Sequence, residues 1–386
     1  MYPNLSFLIQ DLFGIYIPLP IQTFGFFVAL AFLLSSWTLK LELKRKEEEG
    51  LITSFLQEKI IGLATSKKDL LIASLVGFLV GFKLLYAAQN YSEFSINPQY
   101  FILSTNGSFF GGFIGAIVNY YLKYSEGEKS KLDQPKKVKV EVHPYELVGN
   151  ITIIAAVSGI IGAKIFHNLE NINDFMADPI GQLLSFSGLT FYGGLICGAA
   201  AVIWYGKKYN IHYKYLSDAA APGLMLAYGI GRMGCHFSGD GDWGINNLNQ
   251  KPEWMSFLPD WTWAYNYPNN VLNSGVPIEG CIGNYCNQLA IPVFPTPLYE
   301  VIMALSLFFL LWSLRKKIKI SGMLFGLYLI FNGIERFFIE KIRVNTKYII
   351  FKYEITQAEI ISFSLIIIGS IIIYRLYKSE KLITSN

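Results

Sequence analysis

Arg232 and His236 stand four residues apart, in a stretch that starts at Tyr228 inside an apolar segment. If this stretch is helical, the two side chains share one face of the helix. Asp240 and Asp242 follow directly, in a glycine-rich turn. An arginine within a membrane segment is costly, so its presence favours a partner or a function. The alternative is a buried arginine whose donors are satisfied by carbonyls of a glycine-kinked helix.

A second polar cluster contains Arg336, Glu340 and Arg343, which are spaced to share one helical face. Glu340 can hold either arginine by a charge-assisted hydrogen bond. A guanidinium binds two oxygens of a phosphate diester at once, and a phospholipid headgroup is the anionic ligand most available in a membrane. Together with Arg232, this cluster predicts a phospholipid site. An ion-pair ladder that only ties a helix in place is the alternative.

The composition favours a membrane protein over two soluble domains. Of the 386 residues, 52% are hydrophobic and only 16% are charged, and the apolar residues form long runs. Basic residues cluster in loops beside these runs, which argues against a nucleic-acid partner. The N-terminus has no basic region followed by a cleavage site, so no removable signal peptide is expected.

The expected fold is an all-α polytopic membrane protein with about nine transmembrane helices. Several of the predicted spans are short or rich in glycine, which is tolerable when they pack inside a bundle. The spans are 21–39, 70–88, 108–123, 147–166, 189–206, 217–236, 297–314, 322–340 and 358–377.

Lysine and arginine positions predict the orientation. The loops on one side, with the C-terminal tail, carry 23 of the 32 basic residues, whereas the loops on the other side carry five, among them Lys352. The positive-inside rule therefore places the N-terminus outside and the C-terminus in the cytoplasm. The implied segments are 1–20 (outer), 21–69 (first span and cytoplasmic loop), 70–123 (hairpin), 124–146 (charged, mobile cytoplasmic linker), 147–377 (core, with outer loop 237–296) and 378–386 (cytoplasmic tail).

Two helical hairpins resemble each other. Residues 81–85 match residues 162–166, and residues 108–114 match residues 190–196, at an offset of 81 or 82 residues. This spacing predicts a duplicated two-helix unit, in which the second copy carries polar residues that the first lacks. Chance similarity between two apolar hairpins is the alternative.

The outer loop 237–296 is rich in tryptophan and tyrosine. It is interpreted either as a lid or docking surface at the outer membrane face, or as an interfacial anchor. Cys281 and Cys286 lie in this loop, and outside the cytoplasm a disulfide between them is plausible. Cys197 and Cys235 lie in apolar surroundings and are interpreted as small core residues.

These residues also carry a family resemblance. Gly231-Arg-Met-Gly234, followed by Gly239 and Trp243-Gly244, resembles the signature of the phosphatidylglycerol–prolipoprotein diacylglyceryl transferases. Phe191-Tyr-Gly-Gly-Leu195 is similar to their His-Gly-Gly-Leu motif. Further matches follow that family's order: Phe175-Met-Ala-Asp-Pro179, Pro297-Leu-Tyr-Glu300, and Arg336-Phe-Phe-Ile-Glu340 with Arg343. The hairpin 70–123 resembles an addition to the family's usual seven spans.

The resemblance implies transfer of a diacylglyceryl group from phosphatidylglycerol to the thiol of a lipobox cysteine, with release of glycerol phosphate. The cysteine belongs to the prolipoprotein signal peptide, so the enzyme needs no nucleophile of its own. The implied phosphatidylglycerol-binding residues are Arg232, Arg336, Arg343, Gly193, Gly194 and Gly244, and Arg336 and Glu340 are implied to act in catalysis. The implied location is the bacterial inner membrane, among membrane lipids. No cofactor or metal is indicated, because there is no phosphate-binding P-loop and no His/Cys cluster with ligand spacing.

The chain departs from the family pattern at three places. Tyr192 stands where the family usually has histidine, and Phe24 stands where it usually has tyrosine. Cys235 and Ser238 replace two asparagines of the signature, which also gains a glycine near Gly241.

The group that removes the thiol proton therefore stays open between His236, Tyr192 and Asp240. A free thiol has a pKa near 8.5, so a modest shift is sufficient. Tyrosine is better suited to donating a hydrogen bond than to acting as a base at neutral pH.

Two other functions remain as alternatives to the transferase. One is a lipid or anion transporter whose intramembrane arginines line a path. The other is a relative that keeps the lipid site but uses a different acceptor.

Overall fold

The computed structural model describes residues 1–96, 98–185, 188, 190–350 and 353–384. Lys352, the first residue of the predicted span 189–206 and the last two residues of the predicted tail lie outside this set.

Helices dominate the described part of the chain. They are α1 Leu5–Phe13, α2 Thr23–Glu48, α3 Lys67–Gln89, α4 Tyr91–Ile96, α5 Pro98–Leu103, α6 Phe109–Ser130, α7 Val148–Glu170, α8 Ile172–Ala177, α9 Pro179–Leu184, α10 Phe191–Lys208, α11 Tyr213–Ser238, α12 Thr296–Leu314, α13 Met323–Glu340 and α14 Gln357–Thr384. Short 3-10 turns lie at Pro144–Leu147, Glu253–Met255 and Asp260–Thr262.

Among the described residues, each predicted span coincides with one of the helices of 18 or more residues. In the part of the chain that the structure describes, five segments are long and apolar enough to cross a membrane: Thr23–Glu48, Lys67–Gln89, Pro144–Glu170, Thr296–Leu314 and Gln357–Leu382. A polytopic membrane protein is therefore supported. That the other four long helices cross as well stays a prediction.

The expectation of an all-α chain is wrong in detail, because three antiparallel strand pairs are present. They are β1 Phe55–Ile61 with β2 Lys136–Val142, β3 Val276–Pro277 with β4 Asn287–Gln288, and β5 Lys347–Ile350 with β6 Tyr353–Thr356. The predicted mobile linker 124–146 in fact contains the end of α6 and all of β2. Valine alternates with charged residues in β2, which is a strand pattern that the charge content had obscured.

The chain divides into two compact units. The first contains Met1–Gly14, Gln22–Thr53 and Pro144–Asn386, and the second contains Ile15–Ile21 and Ser54–His143. In the second unit, α3 and α6 form a hairpin, and the strands β1 and β2 pair with Phe55 opposite Val142.

In the first unit, α11 packs against α2, α12 and α13. Met225 of α11 is fully buried together with Ala304 and Leu311 of α12. Near the start of α11, the Asp218 carboxylate accepts hydrogen bonds from the backbone N–H groups of Gly322 (2.6 Å) and Phe325 (2.9 Å). These bonds satisfy donors at the start of α13 that have no partner within the helix. The packing thus fixes the two helices that carry Arg232 and Arg336.

The outer loop 237–296 is a folded segment with a buried interior. Tyr267 and Asn270 are fully buried, and Asn270 Nδ2 donates to the Tyr267 carbonyl at 3.1 Å. A disulfide joins Cys281 and Cys286, whose Cα atoms are 5.6 Å apart. Bridges and buried side chains of this kind are typical of a loop that holds one shape.

Thiol labelling tests the cysteine assignment. Unfolded without reductant, the protein is expected to take up two maleimide groups, because Cys197 and Cys235 are free and the other pair is bonded. After reduction it is expected to take up four, as counted by mass. Uptake of four groups without reductant would contradict the disulfide, and Cys281→Ser with Cys286→Ser serves as the control in which reduction adds nothing.

Candidate active site

A fully buried carboxylate, Glu300 near the start of α12, lies at the centre of the arginine cluster. Its Oε1 accepts hydrogen bonds from Tyr228 Oη (2.8 Å), Arg336 Nη1 (3.3 Å) and Arg343 Nη1 (3.4 Å). Its Oε2 lies 3.3 Å from Arg232 Nε. The three arginines predicted to share a site therefore do so, and one carboxylate holds them together.

Asp242 is the second carboxylate that bridges arginines. Its Oδ2 pairs with Arg232 Nη1, and its Oδ1 pairs with Arg343 Nη2. Burial raises the pKa of this carboxyl, but the neighbouring guanidiniums of Arg232 and Arg343 outweigh burial and lower the pKa overall. Asp242 is therefore ionised at neutral pH.

Gly244 helps to place Arg343 beside this cluster. Arg343 lies beyond the end of α13, where Ile245 N–H donates to the Ile342 carbonyl at 2.9 Å. A Cβ on Gly244 would collide with the Ile342 carbonyl and come within 2.9 Å of Phe294 Cβ. The backbone approach explains the glycine, whereas the lipid contact predicted for it stays a prediction.

Glu340 and Tyr192 lie around Arg336. Of the two pairings predicted for Glu340, the structure has the one with Arg336, at 3.4 Å between Nη2 and Oε2. Arg343 instead pairs with Glu300 and Asp242, while the second oxygen of Glu340 accepts from Asn345 Nδ2 at 2.7 Å. The Tyr192 phenol lies within electrostatic range of Arg336, Glu340 and Arg343.

Gly193 and Gly194 lie where α10 packs on α7. A Cβ on Gly193 would come within 2.5 Å of both the Gly162 carbonyl and Phe166 Cβ. A Cβ on Gly194 would lie 3.1 Å from the Gly159 carbonyl. Close helix packing explains both glycines, and the geometry adds no support to the predicted lipid contact.

His236 belongs to a group of aromatic side chains. It is buried, its Nδ1 lies 3.3 Å from Tyr267 Oη, and its ring centroid is 6.0 Å from that of Trp261. Burial raises the pKa of the Tyr267 phenol, so the hydroxyl keeps its proton at neutral pH. These contacts favour a structural role over the role of base, although α11 does extend through both Arg232 and His236 as predicted.

Asp240 lies in the turn that follows α11. Its Oδ1 accepts the Asp242 N–H at 3.3 Å, and its carboxylate, the Cys235 thiol and the Asp242 carboxylate lie within 4.8 Å of one another. Burial raises the pKa of Asp240, and the negative charge of Asp242 adds to this effect. Both oxygens of Asp242 already pair with guanidiniums, which makes this trio a poor metal site.

Comparison with known proteins gives the family. The family model described as prolipoprotein diacylglyceryl transferase matches this chain over residues 10–134 and 129–375. The chain belongs to the prolipoprotein diacylglyceryl transferase family.

Individual relatives agree with the family model. A phosphatidylglycerol–prolipoprotein diacylglyceryl transferase of Buchnera aphidicola is 27% identical over 290 residues, which are 73% of this chain and 96% of the relative. The enzyme of the same name from Dehalococcoides mccartyi is 30% identical over 241 residues, 61% of this chain and 79% of the relative. That of Corynebacterium diphtheriae is 29% identical over 235 residues, 60% of this chain and 78% of the relative. Membership of this family favours the transferase over a transporter.

No role was predicted for Glu300, Asp242 or Tyr228, although all three contact the arginine cluster. One available signal was charge balance, because three arginines close together in a membrane require buried acids. Glu335, which is also buried, has its Oε1 3.3 Å from Tyr228 Oη. The acids around the arginines therefore come from two helices, α12 and α13, and from the turn after α11.

Replacement of Glu300 by alanine is expected to lower the free energy of unfolding by about 3–5 kcal/mol, because it leaves several buried guanidiniums without their shared partner. Asp260→Ala is the matched control: it also breaks an ion pair, with Lys251, but Asp260 is 95% exposed. This control substitution is expected to lower the free energy of unfolding by at most about 1 kcal/mol. Unfolding in detergent measures both, and equal losses would contradict a central role for Glu300.

Proposed function

We propose that this chain transfers the diacylglyceryl group of phosphatidylglycerol to the thiol of the lipobox cysteine in prolipoproteins, with release of glycerol phosphate. The observation that carries the proposal is the convergence of Arg232, Arg336 and Arg343 on two carboxylates, Glu300 and Asp242. The family supplies the reaction, and the cluster supplies groups suited to a phosphodiester.

The two carboxylates have different parts in phosphate binding. Glu300 is fully buried and holds the arginines in place whether lipid is bound or not. The Asp242 side chain is 35% exposed, so it lies at the accessible edge of the cluster. The lipid phosphate displaces Asp242 from Arg232 and Arg343, and their forked donors then bind its oxygens.

The transfer is one displacement at the carbon of the diacylglyceryl group that is bonded to the phosphate oxygen. The substrate thiol gives its proton to a base, and sulfur forms a bond to that carbon. The bond between the carbon and the phosphate oxygen breaks, and the electron pair leaves with glycerol phosphate. Negative charge grows on that oxygen in the transition state, and the guanidiniums stabilise it there.

Asp240 is the proposed base. It lies in the same turn as Asp242, beside the arginine cluster, whereas His236 is packed among aromatic rings. A carboxyl whose pKa is raised by burial accepts a proton more readily than an ordinary aspartate. Tyr192, close to Arg336 and Glu340, serves as a hydrogen-bond donor to the lipid.

We also propose nine spans, with the N-terminus outside and the C-terminus in the cytoplasm of a bacterial inner membrane. The excess of lysine and arginine in one set of loops supports this orientation. It places the Cys281–Cys286 disulfide on the oxidising side. The exposed Trp254 and Phe257 of the same loop are suited to the headgroup region.

Arg232→Ala is expected to lower transfer by about 10²–10³-fold, because the leaving phosphate loses a charged donor. Membranes containing the protein are supplied with labelled phosphatidylglycerol and a lipobox peptide, and label on the peptide is measured. Lys251→Ala, which removes a positive charge from the outer loop, is expected to keep full activity. Labelling of a peptide whose cysteine is replaced by serine would contradict thiol transfer.

The base assignment predicts a pH dependence. Asp240 must be ionised to act, so transfer is expected to fall as the pH falls through the raised pKa of this carboxyl. Asp240→Asn is expected to slow transfer by about 10²–10⁴-fold and to remove this acid limb. His236→Ala is the control that keeps the limb. If Asp240→Asn kept the limb and the rate, the base would be another group.

A further inference from the structure

Two residues that lie between α7 and α10, Ser185 and Thr190, are hydrogen-bonded to α7. Lys164, buried within α7, donates from Nζ to the Ser185 carbonyl (2.9 Å) and to Ser185 Oγ (2.8 Å). The residue before Lys164 takes part in a second bond: the Ala163 carbonyl accepts from Thr190 N–H at 3.1 Å. Thr190 immediately precedes α10, and Tyr192 follows two residues later.

We call this pair of contacts, lysine to serine and backbone N–H to carbonyl, the lysine clamp. The same clamp is present in the hairpin of the second unit. Lys83 Nζ donates to the Ser104 carbonyl and lies 3.3 Å from Ser104 Oγ. Ser108 N–H donates to the Phe82 carbonyl at 2.9 Å. Lys83 and Ser104 lie 81 residues before Lys164 and Ser185, and Ser108 lies 82 residues before Thr190.

Other features of the two hairpins recur at the same offset. Asn90 Nδ2 donates to the Tyr86 carbonyl at 3.1 Å, and Asn171 Nδ2 donates to the His167 carbonyl at 3.0 Å. Helices α3 and α7 have 23 residues each, and the two short helices after each of them have six. These bonds join residues of different types, so the recurrence supports duplication rather than chance similarity of apolar segments.

The two copies differ at the residue that the clamp places. Tyr192 lies within electrostatic range of Arg336 and Glu340, and the matching residue of the first copy is Phe110, which has no polar group. The lysine clamp is therefore a property of the hairpin, while the group at the start of α10 is specific to the second copy.

We propose that Lys164 is a positioning residue for diacylglyceryl transfer. It holds Ser185 next to the bond between Thr190 N–H and the Ala163 carbonyl, and in this way helps to set the position of the Tyr192 hydroxyl, two residues after Thr190. This inference rests on the proposed function. A lysine is suited to the task because its flexible stem reaches across the hairpin and its ammonium donates to two oxygens at once.

The first copy supplies a matched control. Lys164→Met and Lys83→Met each remove one clamp from the full-length protein in phosphatidylglycerol vesicles, and both are expected to lower the melting temperature. Only Lys164→Met is expected to lower kcat, by about 10–100-fold, because a small displacement of a group at the reacting centre is costly. The KM for the lipobox peptide is expected to stay unchanged, and Lys164→Arg is expected to restore most of kcat.

A double-variant cycle tests whether Lys164 acts through Tyr192. In a Tyr192→Phe background, Lys164→Met is expected to cause no further loss of kcat, since the positioned hydroxyl is already absent. Additive losses, or equal losses of kcat in Lys164→Met and Lys83→Met, would overturn the proposal.

A readout without transfer separates this inference from the proposed function. A nitroxide attached at Tyr192→Cys, with Cys197 and Cys235 replaced by alanine, is expected to gain mobility in Lys164→Met and not in Lys83→Met. An unchanged nitroxide spectrum in Lys164→Met would contradict the positioning role of Lys164. If the nitroxide gains mobility in Lys164→Met but the unaltered protein fails to label the lipobox peptide, the proposed function alone would be contradicted.

Discussion

The contact between Glu300 and its arginines constrains the rest of the site. Three guanidiniums repel one another, and in an apolar environment they stay together only if buried anions hold them. Glu300 reaches all three because α12 places it between α11 and the end of α13. The packing of these helices, the glycine at position 244 and the caps on α13 therefore all serve one electrostatic arrangement.

Charge balance explains how such a site can exchange one anion for another. Glu300, Glu340 and Asp242 pair with the three arginines, so each guanidinium has an acidic partner before lipid arrives. A phosphodiester that enters beside Asp242 adds one negative charge. In the proposed reaction, Asp240, a nearby carboxyl whose pKa burial raises, takes up the thiol proton while negative charge grows on the leaving phosphate. Binding and proton transfer are coupled through the same few side chains.

Local patterns were enough to place the long helices and the two halves of the site. Apolar runs marked the helices, and the spacing of Arg336, Glu340 and Arg343 marked a polar helical face. The pairing of Glu340 with Arg336 was predictable, but the part played by Glu300 was out of reach, because its contact with Arg343 joins residues from elements whose packing no local pattern encodes. The pairing of β1 with β2 was hidden for the same reason: its partners lie on either side of a complete helical hairpin.

The β1–β2 ribbon has a consequence for how much change the segment between its strands can tolerate. Since Phe55 faces Val142 and Ile61 faces Lys136, the segment between them starts and finishes at neighbouring points. A piece of protein with adjoining ends can be spliced into a host, or excised from it, while the host's two cut ends stay within bonding reach. The β-ribbon thus closes the segment between its strands at one place, so a change of length inside that segment leaves the spacing of its two ends unchanged.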